Sequence, residues 1–533
     1  MKWLVIAAFV AIAAIVKAPQ LLAPMGQDQG LYHAVGELIL RGGVPYRDAW
    51  DPKPPGAFYT HAAVLALVPD PWRPCHLDTL AGLSRTDLQP RCGTLVFELI
   101  DFVYSLAIAA AVFAVARRLG LTASGAAVAF GLTALCVNLA LLDPEGSTPE
   151  KYALLPAVGV VLAGLTAVRS GQRRWLLVAG VLGGIAALYK QPDLASFAAL
   201  TLWLLSLRRF RDLLWLWTPL AAVLLSVVAL FAAAGAVGQV LDATLLYNVR
   251  RFGFQSDRIA LKGIAAAWQI FRDGAAVLLL LGALGALGAL SLARNAGYRL
   301  LLIWAVFDVL ALALGGTKFT REYFVQLVPS FAILGGLAWQ SLWGEYARTA
   351  IGRAWLALSL TSVVLLTSAF QANFTLRIWN EYVANGWTTT SVEHLSDMVR
   401  ALPPQNTLFV WGDEAQLYVL SGRRPTTRFL NTAGLAATGD PAVIQRRTEL
   451  FAALTSAPPA VLVVDRRTAD DDPDGRLGLN VAFVPELRQL LAEQYRPLDG
   501  AVLRAYLGGD REDVYVRQAP TDLCAQMPTC RLS

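Results

Sequence analysis

Residues 25–59, MGQDQGLYHAVGELILRGGVPYRDAWDPKPPGAFY, place charged side chains directly after the first apolar segment of the chain. Asp28 stands near the start of this stretch, and Lys53 precedes two prolines near its end. A carboxylate can accept the proton of an attacking hydroxyl, and a lysine can stabilise charge that grows on a departing phosphate. These residue types therefore suit a transfer reaction in which a hydroxyl attacks and a phosphate leaves.

Three further polar stretches interrupt apolar sequence: LDPEGSTPEKY (142–152), LYKQPDL (188–194) and GTKFTREYF (316–324). Polar groups at membrane depth are costly unless they face each other or a water-filled cavity. We therefore expect the helix ends that carry these stretches to converge. The acids would then face the cations in one site, which would contain Asp28, Glu150, Lys53, Lys190, Lys318 and Arg321.

The composition indicates an integral membrane protein. The 533 residues are 56% hydrophobic and 16% charged, with a mean hydropathy of +0.49, whereas soluble domains carry about 25% charged residues. The net charge of +6 does not indicate nucleic-acid binding, because the arginines lie in short clusters between apolar runs. Such clusters normally set membrane topology.

The apolar runs are long enough to predict a polytopic helical protein, since a span needs about 17 to 25 apolar residues. The segment 56–69 has only 14 residues and is predicted to lie at the membrane surface. The first run is longer than a signal-peptide core and no small-x-small cleavage motif follows it, so we expect an uncleaved helix. The eleven predicted spans lie near 3–22, 95–116, 121–142, 152–168, 175–190, 193–207, 213–235, 275–293, 298–315, 322–343 and 353–371.

Basic residues test the predicted sidedness. With eleven spans, every short loop rich in arginine falls on the cytoplasmic side, as the positive-inside rule requires. A twelfth span at 56–69 would move Arg117 and Arg118 outside. The lysines differ, because five of the seven fall in or beside outward loops, which indicates a bound anion or ordinary headgroup contact. These five are Lys53, Lys151, Lys190, Lys262 and Lys318.

The cysteines agree with this sidedness. Cys75 and Cys92 share one outward loop, and Cys524 and Cys530 share the C-terminal tail. Two close pairs in an oxidising compartment are typical of disulfides. Cys136 lies within a span and is predicted to be a packed thiol.

After residue 371 the sequence becomes typical of a soluble α/β domain. NTLFVWG and AVLVVD predict strands, and DPAVIQRRTELFAALTS predicts an amphipathic helix. We therefore divide the chain into a membrane domain, 1–371, whose first extracytoplasmic loop is 23–94, and an extracytoplasmic domain, 372–533. The acidic run ADDDPDG is predicted to be a solvated loop. The sequence has neither a P-loop nor a dinucleotide-binding glycine motif, which argues against an ATP-driven pump and a nucleotide-sugar site.

The first loop resembles that of the GT-C glycosyltransferases, closest to bacterial relatives of protein O-mannosyltransferases and lipid A aminoarabinose transferases. The shared features are an acid just after the first helix, a Gly-x-Pro-Tyr and an Asp-x-Lys-Pro-Pro. GTKFTREYFVQLVP resembles the late motif of that family, and TLFVWGDEAQLYVLSGRRPTTRF resembles its soluble tail. The resemblance implies an inverting transferase that uses a polyprenyl-phosphate sugar at the outer face of the cytoplasmic membrane.

The resemblance also implies roles for individual residues. Asp28 matches the acid that deprotonates the acceptor, and Lys53 matches the residue that holds the lipid phosphate. Glu150 is the nearest match to the second acid, with Glu145 beside it as the next candidate. The further donor-phosphate ligands would be Arg321, Tyr323, Lys190 and Lys318. Some members bind a divalent metal through the residue before the lysine, which here is Pro52 with Asp51 before it, so the resemblance leaves a metal open.

Structural roles compete with these assignments. Asp28 could cap the following helix, Arg321 could pair with Glu322, and Tyr323 could belong to an interfacial aromatic belt. Glu150 could be a first-turn helix charge. His33 and Glu37 lie four residues apart, as paired metal ligands can, but two ligands make a weak site. Asp48 and Asp51 are expected to shape turns.

The expected partners are a polyprenyl-phosphate sugar donor, membrane lipid and an envelope acceptor that is a glycan, lipid or protein. Two other functions stay open at this stage. The first is a polysaccharide polymerase or ligase that uses lipid diphosphates. The second is a lipid or sugar transporter, although transporters often carry charges near mid-membrane, whereas the charges here gather at one surface.

Overall fold

A computed structural model describes residues 2–21, 23–68, 71, 92–143, 145–254, 265, 268, 276–314, 321–346, 349, 391–432, 435, 441–465, 484–498 and 512–518. Several predictions fall on residues outside these ranges and stay predictions. They concern the eleventh span (353–371), the acidic run (469–475) and the residues Cys75, Lys262, Lys318, Cys524 and Cys530.

Helices dominate the described residues. In chain order they are α1 (Lys2–Leu21), α2 (Gln27–Leu40), α3 (Gly56–Leu65), α4 (Cys92–Leu119), α5 (Ala123–Cys136), α6 (Pro149–Ser170), α7 (Arg174–Tyr189), α8 (Ala195–Ser206), α9 (Phe210–Ala233), α10 (Val237–Leu241), α11 (Tyr247–Phe254), α12 (Ala276–Ser291), α13 (Ala296–Leu314), α14 (Val328–Tyr346), α15 (Ser391–Arg400), α16 (Gln416–Ser421), α17 (Pro441–Ser456) and α18 (Pro485–Gln494). Short 3-10 turns at Gln191–Leu194 and Arg321–Leu327 precede α8 and α14.

Helices occupy the first ten predicted spans. By length and composition, four helical segments among the described residues could cross a membrane: Cys92–Leu119, Pro149–Ser170, Phe210–Ala233 and Glu322–Leu342. Shorter apolar helices include Val5–Leu21, Ala123–Cys136 and Arg174–Tyr189. The count of eleven spans therefore remains a prediction.

The bundle has an apolar interior and an apolar outer surface. Trp203 and Trp304 are buried in its core, whereas Leu214 and Leu225 on α9 are 71% and 66% exposed. An apolar surface of this kind is unfavourable in water and suits contact with lipid. The bundle is therefore built as expected of helices that lie in a bilayer.

Charges are also buried inside the bundle, where α1, α4 and α6 meet. Lys17 Nζ lies 2.5 Å from Glu98 Oε2 and 2.6 Å from Asp101 Oδ2. Lys151 Nζ lies 2.5 Å from Asp101 Oδ2 and 3.5 Å from Asp143 Oδ2. These side chains are at most 1% exposed. We call these five residues the buried ion cluster; it fastens α1, α4 and α6 together, because a buried charge is stable only beside its partners.

A four-stranded sheet follows the bundle in sequence, with strands β1 (Leu408–Trp411), β2 (Val461–Asp465), β3 (Tyr495–Pro497) and β4 (Glu512–Arg517). The strand order is β1-β2-β4-β3; β1 and β2 are parallel, and β4 is antiparallel to both of its neighbours. Both strands predicted from NTLFVWG and AVLVVD form, and α17 forms where the amphipathic pattern predicts it.

The sheet and the first loop share one hydrophobic core. Tyr32, Tyr46 and Phe58 from the first loop belong to the same buried cluster as Phe409 and Val463 from the strands. The backbone N–H of Trp50 also donates to the carbonyl of Arg428, over 2.7 Å. The tail therefore packs on the segment that carries Asp28 and Lys53.

Candidate functional site

Asp28 lies in the first turn of α2, and a distant carboxylate holds the start of that helix. Glu145 Oε2 accepts the backbone N–H of Asp28 over 2.9 Å and that of Gln29 over 3.2 Å. Gly26 is the N-cap residue of the helix, and it makes no side-chain capping bond. Glu145 therefore fills the capping role that the sequence suggested for Asp28.

Asp28 and Lys53 form an ion pair although 25 residues separate them. Lys53 Nζ donates to Asp28 Oδ1 over 2.8 Å and lies 4.6 Å from the centre of the Tyr32 ring. The Tyr32 hydroxyl in turn donates to Asp28 Oδ2 over 3.4 Å. The side chains of Lys53 and Asp28 are 29% and 43% exposed, so both can be reached by a substrate.

The backbone around Lys53 is fixed by hydrogen bonds. Its N–H donates to Asp51 Oδ1 over 2.9 Å, and its carbonyl accepts the Tyr46 hydroxyl over 2.9 Å. Asn248 donates its side-chain amide to the carbonyl of Pro52 over 3.1 Å. Proline restricts the chain further on both sides of Lys53. The lysine is therefore presented from a rigid turn.

Electrostatics keep Lys53 charged. Burial is the largest single influence and would lower its pKa, but Asp28, Tyr32 and Asp51 together outweigh burial and hold the pKa of Lys53 well above its usual value. Burial raises the pKa of Asp51. Burial, together with the neighbouring charge of Asp28, raises the pKa of Glu145 to about 8. Asp28 thus lies between a stable cation and an acid that keeps its proton at neutral pH.

A second ion pair adjoins the first. Lys190 Nζ lies 2.7 Å from Glu150 Oε1, with side chains that are 15% and 12% exposed, and 3.3 Å from the centre of the Tyr323 ring. Burial raises the pKa of the Tyr32 hydroxyl, and so do the charges of Asp28 and, more weakly, Glu150. The two pairs are therefore within electrostatic reach of each other.

A hydroxyl contact joins the chain segments that carry the two lysines. Thr60, on the helix after Lys53, has its hydroxyl 2.8 Å from that of Tyr189, the residue before Lys190. The structure thus brings together Asp28, Lys53, Glu150, Lys190 and Tyr323. The side chain of Arg321 and the whole of Lys318 lie outside the described residues, so their placement stays a prediction.

Other residues singled out from the sequence lie apart from this site. Lys151, counted among the outward lysines, belongs to the buried ion cluster, so the prediction that it is open to an external anion is wrong. It follows Glu150 directly, and only packing decides that the two neighbours point to different surroundings. Asp48 accepts the Val44 N–H over 2.7 Å and pairs with Arg47, which suits a turn-forming role.

The two candidate metal ligands on α2 have different partners. His33 Nδ1 lies 2.9 Å from His61 Nδ1, and Glu37 pairs with Arg41 over 2.8 Å. In the described part of the chain, no group of three His, Cys, Asp or Glu side chains is arranged to hold a metal. Cys92 is disulfide-bonded, and its predicted pairing with Cys75 stays a prediction.

Residues near Lys53 do not fit the divalent metal that the resemblance left open. Asp51 is 4% exposed and directs Oδ1 at the N–H of Lys53. Pro52, which stands where some family members carry a ligand, has no side-chain donor atom. We therefore derive no step through a metal at this position.

Sequence reasoning missed Tyr32 and two residues of the tail that contact the first turn of α2. Tyr32 could have been found, because it lies four residues after Asp28 and so on the same face of a helix. Nothing in the sequence indicated the tail residues, because they lie far from α2 along the chain. Glu414 Oε1 accepts the Gln27 side-chain amide over 3.2 Å, and Gln416 packs directly on Gly30. At Gly30 a Cβ would lie 2.4 Å from that of Gln416, so only glycine permits the contact.

Comparison with solved structures reveals the fold. ArnT from Cupriavidus metallidurans bound to undecaprenyl phosphate is similar with a TM-score of 0.58 and 17% identity, covering 97% of this chain and 98% of that protein. Its apo state gives a TM-score of 0.50 at 17% identity, with coverage of 96% and 97%. No protein-family model and no curated protein matches the sequence. The resemblance inferred from the first loop is thus confirmed for the fold: over almost its whole length, this chain folds as ArnT does.

Proposed function

We propose that this protein is an inverting glycosyltransferase that moves a sugar from a polyprenyl-phosphate donor to an envelope acceptor. The observation that carries the proposal is the ion pair of Asp28 and Lys53, with 2.8 Å between Nζ and Oδ1. It joins a proton acceptor and a phosphate-binding cation in one accessible site. The fold similarity to ArnT, solved with undecaprenyl phosphate bound, supports the same class of donor.

In this mechanism Lys53 holds the lipid phosphate while the polyprenyl tail lies along the apolar outside of the bundle. The acceptor hydroxyl attacks the anomeric carbon from the face opposite the phosphate, and its proton passes to an Asp28 carboxylate oxygen. The new carbon–oxygen bond forms as the bond from the anomeric carbon to the phosphate oxygen breaks. The electron pair leaves with the phosphate, where the ammonium group stabilises the added charge.

Glu150 and Lys190 form the second half of the proposed site. Lys190 would contact the same phosphate, together with Tyr323, Arg321 and Lys318, and Glu150 would act as the second acid. The carboxylate of Glu150 lies 2.7 Å from Lys190, so a phosphate bound by Lys190 would compete with that carboxylate. Lys53 and Lys190 are thus each held in place by a carboxylate, which is negatively charged like the phosphate that they would bind.

The site is proposed to face outward from the cytoplasmic membrane. Arginine-rich loops are expected to remain cytoplasmic, which places residues 25–59 and the tail on the opposite side. The tail contacts Gln27 through Glu414, next to the proposed base, so we assign acceptor selection to this junction. The sugar would be a hexose or a pentose, and the acceptor an envelope glycan, lipid or protein.

The test is a transfer assay in proteoliposomes that contain the purified protein. Radiolabelled undecaprenyl-phosphate sugars, supplied as a panel of hexoses and pentoses, are mixed with an envelope extract from cells that lack the gene. We expect one sugar to move onto a new product, with release of undecaprenyl phosphate. Lipid that changes sides of the membrane without new bonds would identify a transporter, and consumption of lipid diphosphates alone would identify a polymerase or ligase.

Asp28→Asn should abolish this transfer, because the amide cannot accept the proton. General-base catalysis contributes about 10²- to 10⁴-fold, so we expect a loss in that range with an unchanged thermal midpoint. Glu37→Gln is the matched control, since Glu37 is a carboxylate on the same helix and pairs with Arg41. Turnover retained by Asp28→Asn would remove the base from the mechanism.

A further inference from the structure

Glu98 is a buried carboxylate that the proposed mechanism does not use, although it lies directly behind the proposed base. Its side chain is 1% exposed, so it cannot touch a substrate. Its Oε2 lies 2.5 Å from Lys17 of α1, and its Oε1 accepts the Gln29 side-chain amide over 2.9 Å. Gln29 follows Asp28 in the chain and is itself 2% exposed.

A second contact leads from Glu98 to the same turn of α2. Gly146 has a positive φ of 68°, and a Cβ at this position would lie 2.4 Å from the Glu98 carboxylate oxygens. The preceding residue, Glu145, accepts the backbone N–H groups of Asp28 and Gln29. Glu98 therefore supports α2 through the Gln29 side chain and also supports the loop that caps it.

From this arrangement we propose that Glu98 is a positioning residue for Asp28. Lys17 fixes the carboxylate of Glu98, Glu98 fixes Gln29, and Gln29 holds the first turn of α2 so that the Asp28 carboxylate points at Lys53. This inference rests on the proposed function, because it assumes that Asp28 acts as the base. Within the buried ion cluster, this positioning role belongs to Glu98. Lys151, at the other end of the cluster, contacts Asp101 and Asp143.

Gln29→Leu is the sharpest test, because it removes the hydrogen bond between the Gln29 amide and Glu98 and leaves the ion pair of Glu98 with Lys17 intact. A displacement of about 1 Å can cost roughly 100-fold in rate, so we expect turnover to fall by about 10- to 100-fold. The substrate is the radiolabelled undecaprenyl-phosphate sugar that the wild-type protein consumes. Affinity for undecaprenyl phosphate should stay within about threefold, since Lys53 is fixed by its own turn. A purely structural role would lower the thermal midpoint instead and leave turnover per folded molecule unchanged.

Glu98 itself is tested by a pair of variants. Glu98→Asp keeps the charge that pairs with Lys17 and an oxygen for the Gln29 amide, and should retain more turnover per folded molecule than Glu98→Leu. Glu98→Leu removes that oxygen, and should show the same loss as Gln29→Leu. Asp212→Asn is the control for removing a buried carboxylate: it is 4% exposed and pairs with Arg173 and Arg209, far along the chain from α2. Its turnover per folded molecule should stay normal.

The outcomes separate this inference from the proposed function. Normal turnover in Gln29→Leu, while Asp28→Asn is inactive, would overturn the positioning role and leave the base assignment intact. Normal turnover in Asp28→Asn, or a wild-type protein that consumes no donor of the panel, would overturn both. A loss of undecaprenyl phosphate affinity in Gln29→Leu equal to its loss of turnover would also contradict a role confined to Asp28.

Discussion

The Asp28–Lys53 pair and the buried ion cluster are both built from carboxylates and lysines, but they differ in their exposure to solvent. Asp28 and Lys53 are 43% and 29% exposed, whereas Lys17, Asp101 and Lys151 of the buried ion cluster are at most 1% exposed. An ion pair open to solvent is worth about 0 to 1 kcal/mol and can exchange partners. Removing one partner of a buried pair leaves an uncompensated buried charge, which strongly destabilises the fold. Exposure rather than charge thus separates the proposed reactive pair from the structural one.

The neighbours Glu150 and Lys151 show the same contrast within two residues. Glu150 is paired with Lys190 at the proposed site, while Lys151 is enclosed with Asp101 and Asp143. Adjacent residues on a helix point about 100° apart, so one can face a cavity while the next faces the packed interior. Sequence position alone therefore cannot assign a lysine to a site.

Breaking the buried ion cluster should have the largest effect on stability. Asp101→Ala removes the oxygen that lies 2.6 Å from Lys17 and 2.5 Å from Lys151. Loss of one partner of a buried pair costs about 3 to 5 kcal/mol, so we expect a large fall in the thermal midpoint of the detergent-purified protein. Asp28→Asn, which removes the exposed pair, should cost under about 1 kcal/mol. Equal losses in the two variants would contradict the comparison.

Changing the exposed pair should weaken the binding of the lipid phosphate and leave stability almost unchanged. Lys53→Ala removes the cation that would hold the phosphate, and a charged hydrogen bond is worth about 1.5 to 3 kcal/mol. We expect the Kd for undecaprenyl phosphate to rise by about 10- to 100-fold, measured by titration of the purified protein. Arg41→Ala is the control, since Arg41 is an exposed cation at the C-terminal end of α2, in the segment that leads to Lys53. Unchanged affinity in Lys53→Ala would show that the phosphate is held elsewhere.

Glu145 lies between these two environments and should produce an effect on stability that depends on pH. Its pKa is raised to about 8 from the usual 4.5, so the folded protein keeps a proton that the unfolded chain releases. The stability contributed by that proton is fully present below pH 4.5 and is lost as the pH rises through about 8.

Glu145→Gln should remove this dependence, because the amide oxygen still accepts both N–H groups and carries no charge. We expect the thermal midpoint of the wild-type protein to fall relative to that of the variant between about pH 5 and pH 9. Parallel midpoint curves across this range would contradict the raised pKa of Glu145.

Local pattern predicted many of the elements. The helix from Cys92 to Leu119 covers the predicted span 95–116, and β1 and β2 form from the two apolar runs of the tail. Periodicity and apolar length depend on neighbouring residues, so the sequence displays them directly. Asp28 and Lys53 were also identified from their own segment, although no local rule predicts that they meet.

The predicted division at residue 371 rests on composition alone. The tail differs in composition from the bundle, yet Phe409 and Val463 share a buried core with Tyr32 and Phe58 of the first loop. A change in composition marks where the solvent changes, and it cannot show which apolar faces pack together. Whether 372–533 behaves as a separate domain therefore stays a prediction, and the shared core argues that the first loop needs the tail.

The sequence by itself determined that this chain is rich in membrane helices and carries an acid and a cation suited to phosphate-linked transfer. Tertiary structure alone decided that Lys53 pairs with Asp28, that Glu145 caps the helix that carries Asp28, and that Lys151 is buried beside Asp101. The physical reason is that composition and local periodicity are properties of a segment. Partner choice and burial depend on how distant segments pack, and that information is spread over the whole chain.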